Sequence, residues 1–516
     1  MKRTIVVHPL LFAIWPILFI YSQNQDFLSL SQIWRPLLFL GGLAIALFLS
    51  FAIILRNMAK AGAALSLFLL LFFSYAHVHR ILWGEQAQYS ATNESLVLMV
   101  IWAVLFLGGT AVIIRIQDGW PDITRILNVV ALTLVLLPLF NIGLYEIRTT
   151  PSQSQAASDP IPPPPPSSTD NLPNIYYIIL DAYGRQDILQ EMYDYDNSEF
   201  VHFLEQTGFF VASKSHSNYA QTDLSLSSSL NLTYLDKLAD RLDPETGSRE
   251  PLEYMIQNNR VIAFLKEQGY TIVALPSGYK STTLRNTDAQ TIPAISWSDL
   301  EIRLLCNTPI PWLTVRGGLL DPYEMHRQKI LTSFDLLASP PQVSGPYFVF
   351  AHILAPHGPF VFDEHGNPIQ PQRQFDLQTG MQDAERKISQ KEYREGYTGQ
   401  ISFVNSKMES ILTTLLDHPP RPTVIILQAD HGPGSMLDWD HPENTNFRER
   451  FSILNAYFLP GGKGMENLYD EITPVNTFRL IFNEYLGTDL ELLEDRSYFS
   501  TWDHPYQFID VTDAIK

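Results

Sequence analysis

Residues able to bind a metal ion or to act as nucleophiles follow four apolar segments of the sequence. They are Asp181 after IYYIIL, Thr222 in the stretch after GFFVAS, His357 after YFVFAHIL, and the pair Asp430 and His431 after TVIILQA. An ionised carboxylate at the end of a buried strand is costly unless a cation compensates it. Two carboxylates, an imidazole and a hydroxyl suit a divalent cation such as zinc, manganese or magnesium. The pattern therefore predicts a metal-dependent site, although a single Asp in such a position is commonly a turn or helix-capping residue.

Thr222 has two properties of a nucleophile. A bound cation would lower the pKa of its hydroxyl. The stretch TDLSLSSSLNLTYL also predicts a helix that begins at Thr222, and a helix N-terminus stabilises an anion attached to the Thr222 oxygen. The alternatives are that Thr222 is a plain N-cap, or that Ser225, nearly one turn inside the helix, is the nucleophile. Gly432, directly after His431, is predicted to let the chain turn away without a side chain blocking the site.

The elements that must position these residues have an α/β pattern. Near-continuous apolar strands that alternate with helices indicate a mostly parallel sheet with helices on both faces, and such sheets bind ligands beyond the carboxyl ends of their strands. Helical spacing of apolar residues predicts helices at Tyr254 to Gln268 and Tyr393 to Leu416. The predicted strands are Ile175 to Leu180, Gly208 to Ser213, Tyr270 to Leu275, Tyr347 to Leu354 and Thr423 to Ala429.

Residues 1–148 are predicted to form an all-α transmembrane domain of about five helices, because their apolar runs approach the thickness of a bilayer core. The runs are Pro9 to Tyr21, Pro36 to Leu55, Ala61 to Tyr75, Leu96 to Ile114 and Ile126 to Leu144. With the N-terminus in the cytoplasm, six basic residues near the loops lie inside and three, Arg35, Arg80 and Arg148, lie outside, as the positive-inside rule favours. An odd number of spans then places the rest of the chain outside the cytoplasm.

A Pro-rich linker, residues 149–173, is predicted to separate the membrane domain from a catalytic domain at residues 174–516. Five consecutive prolines, Pro162 to Pro166, favour an extended spacer. Residues 1–150 contain 9 basic and 6 acidic residues, so the remainder holds 26 of the 35 Lys and Arg but 48 of the 54 Asp and Glu. This acidic part argues against nucleic acid as a partner. The single cysteine, Cys306, excludes an intramolecular disulfide framework and CxxC sites.

Taken in order, these motifs resemble the alkaline phosphatase and sulfatase superfamily, in particular its membrane-bound branch with the lipoteichoic acid synthases and phosphoethanolamine transferases. The resemblance covers about residues 172–465, through NIYYIILDAYGR, NYAQTDLSLSSSLN, FAHILAPHGPF, IILQADHGPGS and FRERFSILNAYFLPG. It implies one divalent metal ion, Zn, Mn, Mg or Ca, bound by Asp181, Thr222, Asp430 and His431. Thr222 would also be the nucleophile.

The resemblance further implies that His357 and His441 contact the transferred group, with Arg185 as a possible support. For His352, a core histidine on an apolar strand is the favoured interpretation. The chain departs from true sulfatases, because no Cys/Ser-x-Pro-x-Arg sequence surrounds Thr222, and this argues against a formylglycine mechanism. Ile353 also stands where two-metal members have an Asp, which favours a single metal.

The sequence therefore predicts an integral protein of the cell inner or plasma membrane with an extracytoplasmic, metal-dependent enzyme domain. It would transfer or hydrolyse a phospho-ester of the lipid head-group type, with a membrane lipid or an envelope glycan as substrate. The alternatives are a phosphatase, phosphodiesterase or sulfuric-ester hydrolase of the same fold, or a non-catalytic binding module.

Overall fold

A computed structural model describes most of the chain and divides it into two compact units. The described residues are 4–25, 28, 30–83, 93–155, 161, 172–285, 287–290, 297–310, 321–369, 389–417, 419 and 421–516. The first unit comprises residues 1–150, 296–325 and 372–374, and the second comprises the remaining residues. Most of the predicted linker, including its five prolines, lies outside the described residues.

The first unit is a set of apolar helices. They are α1 (His8–Ser22), α2 (Trp34–Leu55), α3 (Met58–Trp83), α4 (Asn93–Arg115) and α5 (Trp120–Gln155). Four of these five described helices are long and apolar enough to cross a membrane, whereas α1 has only 15 residues. The helical, membrane-anchoring character predicted for this region is confirmed. Helix α5 continues to Gln155, so the first residues of the predicted linker are helical.

A short helix from the middle of the sequence belongs to the membrane unit. Helix α12 (Asp299–Cys306) begins with a capping box in which Ser298 and Glu301 bond each other's backbone. Its Leu300 and Leu304 are buried in the same apolar cluster as Phe12 of α1. The domain prediction assigned this segment to the catalytic domain, because sequence order alone does not reveal a return to the membrane helices.

The second unit contains the remaining helices and all described strands. Its strands are β1 (Asn174–Leu180), β2 (Phe209–Val211), β3 (Thr271–Ala274), β4 (Ala289–Gln290), β5 (Tyr347–Ile353), β6 (Thr423–Gln428), β7 (Asn455–Phe458), β8 (Tyr498–Phe499) and β9 (Ile509–Asp510). Its helices are α6 (Gln186–Tyr193), α7 (Ser198–Gln206), α8 (Thr222–Ser229), α9 (Asp236–Ala239), α10 (Glu250–Gln257), α11 (Arg260–Glu267), α13 (Pro322–Leu337), α14 (Gln390–Leu416), α15 (Phe447–Phe451), α16 (Pro474–Leu486) and α17 (Thr512–Ile515).

Seven of these strands form one mixed sheet with helices on both faces, in agreement with the predicted fold class. The order is β2-β7-β6-β1-β5-β3-β4, and only β7 runs opposite to the others. On one face, Tyr177 of β1 packs edge-on against Phe478 of α16, with ring centroids 5.0 Å apart. Strands β1, β5 and β6 are buried along their whole length, which explains why they read as continuous apolar runs.

The prediction of one continuous helix at Tyr254 to Gln268 is wrong, although the segment is largely helical. Two helices, α10 and α11, replace it, because Asn259 adopts an extended conformation and its side chain accepts a hydrogen bond from the Ile262 N–H. Asn259 therefore caps a new helix where the apolar periodicity continued without interruption. The long predicted helix Tyr393 to Leu416 does form within α14.

Candidate metal centre

The register of the central strands places two carboxylates side by side. Ile179 of β1 pairs with Gln428 of β6 and with His352 of β5. Asp181 and Asp430 each lie two residues beyond this level, so both side chains project from the same face at the carboxyl edge of the sheet. The N–H of Ala182 donates to Asp430 Oδ1 over 3.2 Å, which joins the two strand ends.

Asp181, Asp430 and His431 form a buried cluster. Their ligand atoms lie within 4.8 Å of one another. His431 Nε2 is 3.6 Å from Asp181 Oδ1 and 3.5 Å from Asp430 Oδ2. The hydroxyl oxygen of Thr222 lies 3.3 Å from the same nitrogen. The four residues predicted as ligands therefore converge on one point.

The donor atoms of this cluster fit a divalent cation. Asp181 Oδ1 and Asp430 Oδ2 are both buried without a hydrogen-bond partner. His431 Nδ1 lies 3.0 Å from the carbonyl of Gly432, which can only accept, so Nδ1 carries the proton and Nε2 keeps its lone pair toward the carboxylates. Burial lowers the pKa of His431 to about 4, which keeps the ring neutral as a metal ligand must be.

His352 lies against the cluster, although the favoured sequence interpretation was a core histidine. The ring is fully buried, and Nε2 is 3.4 Å from Asp181 Oδ2. Its Nδ1 is 2.8 Å from the hydroxyl of Thr282. Burial lowers the pKa of His352, but the contact with Asp181 and the negative charges of Asp181, Asp430 and Asp223 together outweigh this effect, so the pKa is raised. His352 therefore orients the second oxygen of Asp181.

His357 also lies at the edge of the cluster. Its backbone N–H donates to the Asp181 carbonyl over 3.0 Å, and its ring is 6.2 Å from that of His431. His357 Nδ1 is 2.6 Å from the Gly358 carbonyl, so this nitrogen donates and Nε2 is left as an acceptor. The contact between His357 and a substrate group stays a prediction.

Thr222 is the first residue of α8, and Gln221 is the N-cap. The alternative in which Thr222 is only an N-cap residue is therefore wrong. In the stretch from Gln221 to Leu230, Thr222 is the one residue that is not buried. The alternative nucleophile Ser225 is only 1% exposed. Thr222 therefore combines access to a substrate with proximity to His431, whereas Ser225 has no such access.

The loop after His431 is fixed by backbone packing rather than by a turn. A Cβ on Gly432 would lie 2.2 Å from the Glu449 carbonyl oxygen, so glycine is needed for close backbone approach. Buried Arg450 clamps this loop, with Nη1 donating to the Gly432 carbonyl over 3.0 Å and Nε donating to the Ala220 carbonyl over 2.8 Å. Arg450 thus joins the loop that carries His431 to the chain that leads into Thr222.

Arg185 and His441 were predicted to contact the substrate, but their contacts in the described part of the chain are with residues outside the cluster. The Arg185 guanidinium binds Asp187 through two hydrogen bonds of 2.6 and 2.8 Å and also donates to the Ser215 carbonyl. The His441 side chain is 61% exposed and lies 3.4 Å from Asp438. It lines an open groove of about 880 Å³ that also includes Ser435, four residues after His431.

The loop after β3 supplies residues that the sequence interpretation missed. Tyr279 donates to Asp223 Oδ2 over 3.4 Å, and Asp223 is the neighbour of Thr222. Burial raises the pKa of Asp223, while the charge of Arg249 opposes this rise. The residues after β3 include no Asp, His or Cys that would indicate a metal ligand, so the sequence gives little sign of this contact.

Comparison with known proteins places the second unit in a family. The family model described as Sulfatase matches residues 173–467. No match was found among curated proteins. Among solved structures, the C-terminal periplasmic domain of EcEptC from Escherichia coli is similar at 13% identity and a TM-score of 0.41, with 68% of this chain and 96% of that one covered.

Two further solved structures are similar at the same level. Integral membrane lipooligosaccharide phosphoethanolamine transferase A from Neisseria meningitidis has 12% identity and a TM-score of 0.40, with 93% of this chain and 94% of that one covered. The phosphonate monoester hydrolase of Agrobacterium radiobacter has 14% identity and a TM-score of 0.41, with 63% and 80% covered. The family match spans more than half of the chain, in the order of motifs described above, and the protein belongs to the sulfatase family.

Proposed function

We propose that this protein is a membrane-anchored enzyme that moves a phospho-ester group through a covalent intermediate on Thr222. The observation that carries the proposal is the position of the Thr222 hydroxyl. It is accessible, it begins α8, and it lies 3.3 Å from His431 Nε2 in the cluster of Asp181, Asp430 and His431. A divalent cation held by that cluster would lower the pKa of the hydroxyl and neutralise charge on the phosphoryl oxygens.

In the first step, the Thr222 oxygen forms a bond to phosphorus, and the bond from phosphorus to the leaving alcohol breaks. The proton that the Thr222 hydroxyl loses passes to the oxygen of the leaving alcohol. The backbone N–H groups of the first turn of α8 point at the charge that develops on the phosphoryl oxygens. In the second step, the oxygen of an acceptor hydroxyl forms a bond to phosphorus, the bond from phosphorus to the Thr222 oxygen breaks, and the proton that the acceptor loses restores the Thr222 hydroxyl. His357 is assigned to the transferred group, with His441 and Arg185 as further substrate contacts in the same proposal.

The donor in this proposal is a membrane phospholipid, and the acceptor is a lipid or an envelope glycan on the extracytoplasmic side. The four long apolar helices support a membrane location. In this proposal the catalytic domain begins near residue 174, after helix α5 and the remaining residues of the predicted linker. A hydrolase would differ only in using water as the acceptor.

Mass spectrometry of the Thr222 peptide tests the mechanism. Wild-type protein is exposed briefly to total membrane lipid, with and without a chelator. We expect a phosphorus-containing adduct on Thr222 that disappears with the chelator, and its mass identifies the transferred group. Thr222→Ala should lose both the adduct and turnover, whereas Ser225→Ala should keep the adduct. Wild-type turnover by Thr222→Ala would refute the mechanism.

A further inference from the structure

A second polar cluster lies beside the nucleophile and includes none of the proposed metal ligands. Asp223 follows Thr222 in α8 and is 3% exposed. Its Oδ2 accepts from Tyr279, but its Oδ1 is buried without a hydrogen-bond partner. The hydroxyl of Ser225 is buried and also lacks a partner. Buried polar atoms are nearly always hydrogen-bonded, so two such atoms near a nucleophile indicate a place for a ligand.

Arg249 contributes a donor of the opposite charge. It is 6% exposed, its guanidinium stacks 3.7 Å from the Trp502 ring, and Nη2 donates to the Trp502 carbonyl over 2.9 Å. Nη1 is buried and makes no hydrogen bond. Arg249 is the N-cap of α10, and this helix packs against α8, where the Ser227 hydroxyl donates to the Leu252 carbonyl over 3.1 Å. Among the described residues, Arg249 and Asp223 nevertheless do not form an ion pair within 4.0 Å. An unused donor and an unused acceptor therefore lie near each other without being joined.

A further acidic charge near this cluster is already paired. Glu253 forms ion pairs with Lys280 at 2.9 Å and with Arg285 at 2.6 Å. The acidic charge of Glu253 is therefore compensated and adds little attraction for a cationic ligand. Recognition by this cluster depends on Asp223 and Arg249.

These two residues complement a hydroxyl better than an ammonium group. A hydroxyl can donate to Asp223 Oδ1 and accept from Arg249 Nη1. An ammonium group has donors only, so it would leave Arg249 without an acceptor and would be repelled by the guanidinium charge. The difference follows from the hydrogen-bonding capacity of the two groups.

We propose that Asp223 and Arg249 form a subsite beside Thr222 that binds a hydroxylated alcohol, such as the glycerol or sugar part of a phosphate ester, in preference to an ammonium-bearing one. The inference rests on the proposed function, because it assigns the alcohol attached to the phosphorus that Thr222 attacks. It makes Asp223 and Arg249 specificity residues, and neither takes part in bond breaking.

Binding of three soluble phosphate esters to the full-length protein, loaded with a divalent metal, tests the subsite. Glycerol 1-phosphate carries two hydroxyls, propyl phosphate has the same carbon chain without them, and O-phosphoethanolamine carries an ammonium. We expect glycerol 1-phosphate to bind about tenfold or more tightly than either of the others, because a site built to hydrogen-bond a hydroxyl rejects analogues that lack it. Equal or tighter binding of O-phosphoethanolamine would overturn the proposal.

Variants connect the preference to the two residues. Asp223→Ala and Arg249→Met should bring the three affinities to within about twofold of one another, with propyl phosphate binding unchanged. Asp223→Asn and Arg249→Lys are the conservative replacements if the first variants fold poorly, and the preference should also weaken in them. In the control Asp495→Asn, a partly buried acid whose oxygens are occupied by Thr473, Asn476 and Tyr469, the preference should persist.

Failure of the proposed function has a different signature. If the Thr222 peptide carries no adduct with any lipid while glycerol 1-phosphate is still preferred, the subsite stands and the covalent mechanism falls. If the adduct forms but the preference survives in both Asp223→Ala and Arg249→Met, the mechanism stands and the subsite falls.

Discussion

The unpartnered oxygens of Asp181 and Asp430 determine how this cluster responds to a metal ion. Two buried carboxylates near each other repel when no cation lies between them, and each loses solvation. A cation reverses both effects. The same pair of residues is therefore expected to destabilise the metal-free protein and to stabilise the metal-loaded one.

Asp430→Asn tests this reversal. We expect the variant to melt at a higher temperature than wild type in chelator, because one buried charge is gone. Added zinc or manganese should raise the melting temperature of the variant only slightly. Loss of a residue that merely contacts a metal ligand weakens metal binding by roughly tenfold to hundredfold, and loss of a ligand itself should weaken it at least as much. Melting with and without metal measures both effects. Asp513→Asn, at a side chain that is 96% exposed, should behave as wild type, and a normal metal response in Asp430→Asn would contradict the assignment.

His326 gives a pH prediction that does not depend on the metal ligands. The residue is 2% exposed, and burial lowers its pKa to about 3. Its ordinary pKa is higher, so the unfolded chain takes up the proton first as the pH falls. Stability is therefore complete above about pH 6.5 and decreases below it by about 1.4 kcal/mol per pH unit, until the pH reaches the folded pKa.

Unfolding by denaturant at pH 7 and pH 5.5 measures this loss. His326→Gln should show a smaller loss than wild type between the two pH values, because glutamine does not titrate. His365→Gln is the control, since the side chain of His365 is 74% exposed and should contribute nothing. Identical pH dependence in wild type and His326→Gln would show that another group is responsible.

Residue types at strand ends could be read from the sequence, but side-chain direction could not. Asp181, Asp430 and His431 were predicted because a carboxylate after an apolar strand is unusual. His352 was interpreted as core because β5 is buried on both faces, and its neighbours on the strand are apolar on either side. Only the register with β1 shows that His352 faces Asp181.

At the scale of elements, the loop between β6 and α15 is held by close backbone contacts. Gly432 N donates to the Arg450 carbonyl over 2.7 Å, and a Cβ at Gly432 would collide with the carbonyls of Glu449 and Ser452. The sequence predicts a glycine at position 432 because the chain must turn away from the site there without a side chain that blocks it. The structure gives a different reason, because this contact with α15 joins residues that sequence spacing alone does not bring together.

Gly432→Ala should therefore separate the loop from α15. We expect a loss of stability of about 1 to 3 kcal/mol, as for other overpacked sites, and a loss of metal binding because His431 moves with the loop. Thermal melting and metal titration check the two effects. Gly399→Ala in α14, where the added Cβ would meet ordinary contacts at 3.5 Å, should keep metal binding and melt at the wild-type temperature or slightly above it. Full metal affinity in Gly432→Ala would contradict the role of this contact.

Sequence periodicity predicted long elements better than short ones. Strands β1, β5 and β6 and helix α14 were predicted nearly to their ends. Tyr279 and Thr282 were not predicted as individual contacts, because they contribute hydroxyls rather than metal-type ligands and meet Asp223 and His352 across the sheet edge. The spacing of apolar residues within a segment carries no information on contacts between residues that are distant in the sequence.

At the scale of the whole molecule, the orientation in the membrane is the main prediction still to be tested. The loop between α2 and α3 is expected in the cytoplasm, and Ser339, in the second unit, is expected outside. Both Asn57 and Ser339 are exposed, so a cysteine at either position can be labelled. Because Cys306 is the only native cysteine, Cys306→Ser gives a clean background.

In intact cells, a membrane-impermeant maleimide should label Ser339→Cys and spare Asn57→Cys. Both should react after permeabilisation. The reverse pattern would place the catalytic unit in the cytoplasm and would remove extracytoplasmic lipids and glycans from the list of substrates.

Helix α12 has a consequence for how the protein is made. Leu300 and Leu304 share the apolar cluster of α1 but follow it by nearly 300 residues, so α1 acquires these partners long after it has itself been translated. Domains usually fold in order as they are synthesised. Here the N-terminal bundle must wait in the membrane with part of α1 uncovered while β1, β2 and β3 are synthesised. Biogenesis, and its dependence on membrane chaperones, should be sensitive to changes at Leu300 that leave the mature enzyme active.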